Sequence, residues 1–126
     1  MPVVTSKDVE SMDVPQGVRI KMLFDHAHGD AKGLALAQVE LTPGGQVFPH
    51  YHEVEEAAFV LEGSAVMTID GVETNVQAGD AILVPARTVH TLKNLSADRV
   101  VRIISAFGSN EVKRYPVGSQ EPAPSY

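Results

Sequence analysis

The chain has 126 residues, 16 of them acidic and 10 basic, for a formal net charge of −6. That length supports one ordinary core, and the acidic balance disfavours nucleic acid and anionic membrane surfaces as partners. Cysteine is absent, which excludes disulfides, thiolate metal ligands and a cysteine nucleophile.

The first 17 residues lack a basic stretch followed by an apolar run, so no signal peptide is expected. No apolar run approaches the ~20 residues that cross a bilayer. A soluble, cytoplasmic protein is the expectation. Residues 1–15 read as an N-terminal arm, with at most one or two helical turns in 5–12. Residues 16–116 read as one β domain, and 117–126 as a flexible, proline-rich C-terminal tail.

Within 16–116 the apolar pattern alternates with period two. Val18, Ile20 and Met22 flank Arg19 and Lys21. A polar loop over 25–33 carries His26 and His28, read as surface with a lid over a cavity as the rival. The stretch 35–41 is apolar apart from Gln38 and Glu40, and short stretches at 58–61, 65–69, 81–84 and 100–104 are rich in β-branched residues and bounded by turn formers. This pattern predicts an all-β sandwich or small barrel. Asp70-Gly71 predicts a two-residue hairpin turn, because a primed turn needs positive φ.

The chemistry concentrates in two places. In His50-Tyr51-His52 the imidazoles lie two residues apart, so on a strand both face one cavity and Tyr51 faces away. The chain then turns through 53–55 and can bring Glu56 to the same cavity. A second segment turns at Pro85-Ala86-Arg87 and feeds a strand bearing His90, Leu92 and Asn94 on one face. Imidazoles with a carboxylate suit a borderline divalent metal: Fe(II), Mn(II), Ni(II), Cu(II) or Zn(II).

The spacing is Gly44-x5-His50-x-His52-x3-Glu56-x6-Gly63, then, after fifteen residues, Gly79-x5-Pro85-x4-His90-x3-Asn94. These two motifs resemble those of the cupin superfamily. The resemblance covers residues 44–94 closely and implies a jelly-roll-like double-sheet β-barrel with one divalent metal per chain in its mouth. It assigns His50, His52, Glu56 and His90 as ligands, Gly63 and Gly79 as turn glycines, and Asn94 as the closing residue. It departs at Arg87, where the family motif has glycine. Either the turn differs or Arg87 stands at the mouth.

No catalytic residue is fixed by the sequence. Arg87, as an anion holder, and Glu55, as a base, are the candidates, although alternation from Glu56 sends Glu55 to the other face. Phe48, Ala58, Val60, Met67, Ile69, Leu92 and Asn94 are the candidate pocket lining. Their mainly apolar character favours oxygen chemistry on a small enol, diketone or catechol-like molecule. A non-redox isomerase, epimerase or lyase and a non-catalytic ligand-binding module are the alternatives. Exposed sheet edges favour a homodimer, with the arm around residues 3–9 as one candidate contact.

Overall fold

A computed structural model describes residues 3–118. Eleven strands run in chain order: β1 (Met12–Val14), β2 (Val18–Phe24), β3 (Ala35–Leu41), β4 (Gln46–Tyr51), β5 (Glu56–Glu62), β6 (Ser64–Ile69), β7 (Val72–Gln77), β8 (Ala81–Val84), β9 (His90–Lys93), β10 (Val101–Phe107) and β11 (Tyr115–Pro116). One sheet has the order β1-β2-β3-β10-β5-β8 and the other β11-β4-β9-β6-β7. All pairings are antiparallel. This is the expected all-β double sheet. The helical content of residues 5–12 is one short 3-10 turn at Ser6–Asp8, and 12–14 extend the first sheet as its edge strand. Of the expected tail, residues 119–126 lie outside the described residues.

Alternation makes the core. Val18, Ile20 and Met22 are buried while Arg19 is exposed. Ala58 and Val60 are buried on β5, whereas Ala57, Phe59 and Leu61 are exposed. From the opposite sheet Ala65, Met67, Val76 and Leu92 complete one hydrophobic cluster with them. Each fully buried aliphatic side chain of this kind contributes about 1.5–3 kcal/mol.

The turns follow their local chemistry. Asp70 (φ 50°) and Gly71 (φ 79°) form the predicted hairpin, and Ile69 pairs with Val72 across it. Gly63 joins β5 to β6 at φ 85°, where an added Cβ would stand 2.5 Å from the Val100 carbonyl oxygen. Only glycine fits there. Arg87 has φ 58°, a left-handed conformation that costs an L-residue about 1–2 kcal/mol. The departure from the motif is therefore one of residue type, and the turn keeps the backbone that glycine favours.

Candidate metal centre

His50 is the penultimate residue of β4, His52 follows the strand, Glu56 begins β5 and His90 begins β9. All four are buried. The three imidazoles present ligand atoms that lie within 4.8 Å of one another, and among the described residues this is the one such cluster. Their ring centroids are 4.2 Å (His50–His90), 4.9 Å (His50–His52) and 5.5 Å (His52–His90) apart. Glu56 Oε1 lies 3.5 Å from His52 Nε2 and 3.4 Å from His90 Nε2. The four residues singled out by spacing thus meet in space.

Each ring is fixed by its other nitrogen. Nδ1 of His50 lies 2.8 Å from the Phe48 carbonyl, Nδ1 of His52 2.8 Å from that of Lys113, and Nδ1 of His90 2.9 Å from that of Thr88. A carbonyl only accepts, so each Nδ1 carries the proton and donates it. That tautomer leaves the Nε2 lone pair for a metal, the arrangement that orients ligating histidines.

The electrostatics agree. Burial, reinforced by the charge of His90, pushes His50 from 6.5 down to about 2, although the Phe48 carbonyl pulls the other way. Burial also lowers His52, against the raising effects of the Lys113 carbonyl and of Glu56. Burial alone would raise Glu56, but the hydrogen bond and charge of His90, then His52 and the Ser105 hydroxyl, hold it below the usual carboxylate range. His52 Nε2 and the Glu56 carboxylate, both buried, thus face each other 3.5 Å apart. A cation held by both suits that arrangement, so the residues fit a divalent metal.

A cavity of about 50 Å³ adjoins the centre, walled by Ala58, Met67 and Leu92 among other apolar side chains. The volume suffices for a few water-sized groups. Its polar contributors are His50, Glu56, His90, Ser105 and Arg114.

Several expected residues stand elsewhere. Phe48 does not line this cavity. The β4–β9 register shifts between Val47 and His50, and the extra residue reverses parity, so Val47 takes the inward place. Phe48 lines an outer groove with Thr91 and Lys93. Val60, fully buried, belongs to the core cluster, and half-buried Ile69 packs against that cluster. Asn94 braces the barrel floor: its Nδ2 lies 3.2, 3.1 and 2.8 Å from the carbonyls of Leu41, Thr42 and Arg99. Neither catalytic candidate reaches the cavity. The Arg87 side chain is 70% exposed, 3.5 Å from Glu53. Glu55 is exposed because it alternates with inward Glu56. His28 bonds to Asp25 at 2.8 Å, and the His26 amide donates to the Asn110 carbonyl. These contacts hold the loop at the surface.

Arg114 was not singled out by the sequence. It lies on the segment leading into β11, buried with Val112 while Lys113 is exposed. Its one local signal is that two-residue spacing from Val112.

Comparison with known proteins gives the family. Over 73 residues, 36% are identical to dimethylsulfoniopropionate lyase DddW of Ruegeria pomeroyi, covering 58% of this chain and 48% of that one. Quercetin 2,3-dioxygenase of Bacillus subtilis is 41% identical over 51 residues, 40% of this chain and 15% of that one. This chain spans about half or less of the length of the curated relatives it matches. Among solved structures, the polyketide cyclase RemF of Streptomyces resistomycificus superimposes with a TM-score of 0.80 at 26% identity, over 96% of this chain and 88% of that one. The cupin-domain family model (Cupin_2) matches residues 37–107, from the inner strand β3 through both motifs to the end of β10. That match takes in more than half of the sequence and all four candidate ligands, and the chain belongs to the cupin-domain family.

Proposed function

We propose that this protein is a mononuclear metal-dependent enzyme that oxidises or cleaves a small enol, diketone or catechol-like molecule with dioxygen. The observation that carries this reading is the set of three buried imidazoles with clustered ligand atoms, each with Nδ1 bound to a carbonyl, two of them with Nε2 within 3.5 Å of Glu56, beside a mainly apolar cavity. When bound, a divalent metal supplies Lewis acidity there and, if redox-active, a path for electrons to dioxygen. The chain's own residues do the rest. His50, His52, His90 and Glu56 fix the ion's position. Met67, Leu92 and Phe107 exclude bulk water. The name of the quercetin dioxygenase relative supports this reading.

A second reading, metal-assisted cyclisation or elimination without oxygen, is favoured by the likeness to RemF over 96% of the chain and by the lyase DddW. A homodimer belongs to the same proposal. Phe59, Leu61 and Leu83, exposed on the outer face of β5 and β8, support it, and a clean monomer mass by light scattering at micromolar concentration removes it.

Metal analysis of the purified protein beside a His50→Ala, His90→Ala double variant tests the centre. The wild type should hold one divalent ion per chain and the variant should lose it. No metal in the wild type, or equal metal in both, overturns the reading. Oxygen uptake by the Fe(II) form with diketones, catechols and enols separates the two chemistries, because the second predicts turnover with no oxygen consumed. Tight binding without turnover would indicate a ligand-binding module.

A further inference from the structure

The inward side chains of β10 are Val101, Ile103, Ser105 and Phe107, so one hydroxyl interrupts an apolar stripe. Ser105 is only 1% exposed, and its Oγ has no hydrogen-bond partner among the described residues. A buried hydroxyl left unbonded is costly, and nearly all such groups in folded proteins find a partner.

The sheet leaves room for one. Ser105 pairs with Ala37 on β3 and with Ala58 on β5. In the next row on one side Ile103 stands between Val39 and Val60, and on the other Phe107 stands between Ala35 and Glu56. The row of Ala37, Ser105 and Ala58 is therefore a hollow in the inner face, and all three residues line the cavity of about 50 Å³ beside His50, Glu56 and His90. The unbonded hydroxyl sits in the middle of that hollow.

A hydroxyl has one proton to donate and two lone pairs that accept. The Glu56 carboxylate only accepts. Ser105 lies near enough to help lower it, though without closing a hydrogen bond. The proton of Ser105 is thus drawn to the Glu56 side, and its lone pairs are left to the cavity. A donor on the occupant completes them, such as the O–H of an enol or a catechol. A diketone or an ether brings acceptors only.

We propose that Ser105 is a specificity-determining residue, whose hydroxyl accepts the O–H of a small hydroxylated substrate lying between it and the metal centre. This rests on the reading above that the cavity takes the substrate, and it selects enols and catechols over diketones among the classes named there.

The test uses the Co(II)-loaded protein, whose visible absorption reports molecules entering the centre. The probes are hydroxyacetone and its methyl ether, methoxyacetone, which share the ketone and differ in the donor. In the wild type hydroxyacetone should bind about tenfold more tightly. In Ser105→Ala the two should bind within about twofold of each other, the change coming from weaker binding of hydroxyacetone. Ser105→Thr keeps the hydroxyl and should keep a preference of about threefold or more. Thermal melts of the metal-free proteins give a second readout. Ser105→Ala should melt within about 3 °C of the wild type, because no protein hydrogen bond is lost. A larger fall marks the hydroxyl as a structural brace and overturns the inference. So does a preference that survives in Ser105→Ala, or one lost there through tighter binding of methoxyacetone, which would show a steric wall. Absence of Co(II) bands in the wild type overturns the metal reading and the inference with it. Normal bands that neither probe perturbs overturn the inference together with the placing of substrate in this cavity. Normal bands with equal binding of both probes overturn the inference alone.

Discussion

The ring of His52 is held by Lys113, 61 residues further along the chain: Nδ1 donates to the Lys113 carbonyl at 2.8 Å. One candidate ligand of the first motif is thus oriented by a segment that follows both motifs. The same segment carries Arg114 to the cavity wall, so ring orientation and cavity lining are set together.

Acid should destabilise the metal-free protein. His50 and His52 are lowered by burial in the folded state, whereas in the unfolded chain they titrate near 6.5. As pH falls through 6.5 the unfolded chain therefore binds protons that the folded chain refuses. Stability present above that pH is lost on the way down, toward about 2 for His50. Glu56, also lowered, adds to the loss below its ordinary range. Urea unfolding at pH 5.5 should give a stability about 1.4 kcal/mol lower than at pH 7.5 from His50 alone. Equal stabilities at the two pH values would count against the burial argument.

Asn94→Ala should cost about 2–4 kcal/mol while leaving metal content unchanged. The side chain is fully buried and its amide serves three carbonyls, while its own oxygen accepts from the Ser96 amide at 3.0 Å. Removing it strands buried acceptors. Denaturant midpoints together with metal analysis decide between this and a role at the centre. Metal loss in a folded variant would point to the latter.

The two turn glycines should respond unequally to alanine. At Gly63 the new Cβ meets the Val100 carbonyl at 2.5 Å, so a loss of ~3 kcal/mol or more is expected. At Gly79 (φ 97°) nothing lies within 4 Å, and only the backbone strain of about 1–2 kcal/mol applies. Thermal melts of both variants check the ranking, and a reversed order refutes it.

Arg87→Gly should raise stability by up to about 1 kcal/mol, relief of the left-handed backbone exceeding the added freedom of the unfolded chain. Metal binding should stay within twofold, because the side chain is exposed and faces Glu53. A tenfold weakening of metal binding would show that Arg87 acts on the centre.

The His50–His52 pair was legible in the sequence because its spacing is itself the geometry. A residue between two histidines puts both on one face, whereas Glu56 and His90 were singled out through the resemblance of the two motifs to the cupin superfamily. Asp70-Gly71 was legible because positive φ is a local demand. Phe48 was not, since alternation is counted residue by residue and the β4–β9 bulge inserts one more than the count allows.

The sequence by itself determined the all-β class, the shared face of His50 and His52 and the turns, all properties of residue type over a few positions. The tertiary structure alone decided the cavity wall. It turned Arg87 outward, put Val47 in place of Phe48 and brought Arg114 inward. The physical reason is range. Backbone conformation and side-chain parity are set by neighbours, whereas the approach of residue 113 to residue 52 is set by packing of the whole barrel and leaves no pattern in either segment.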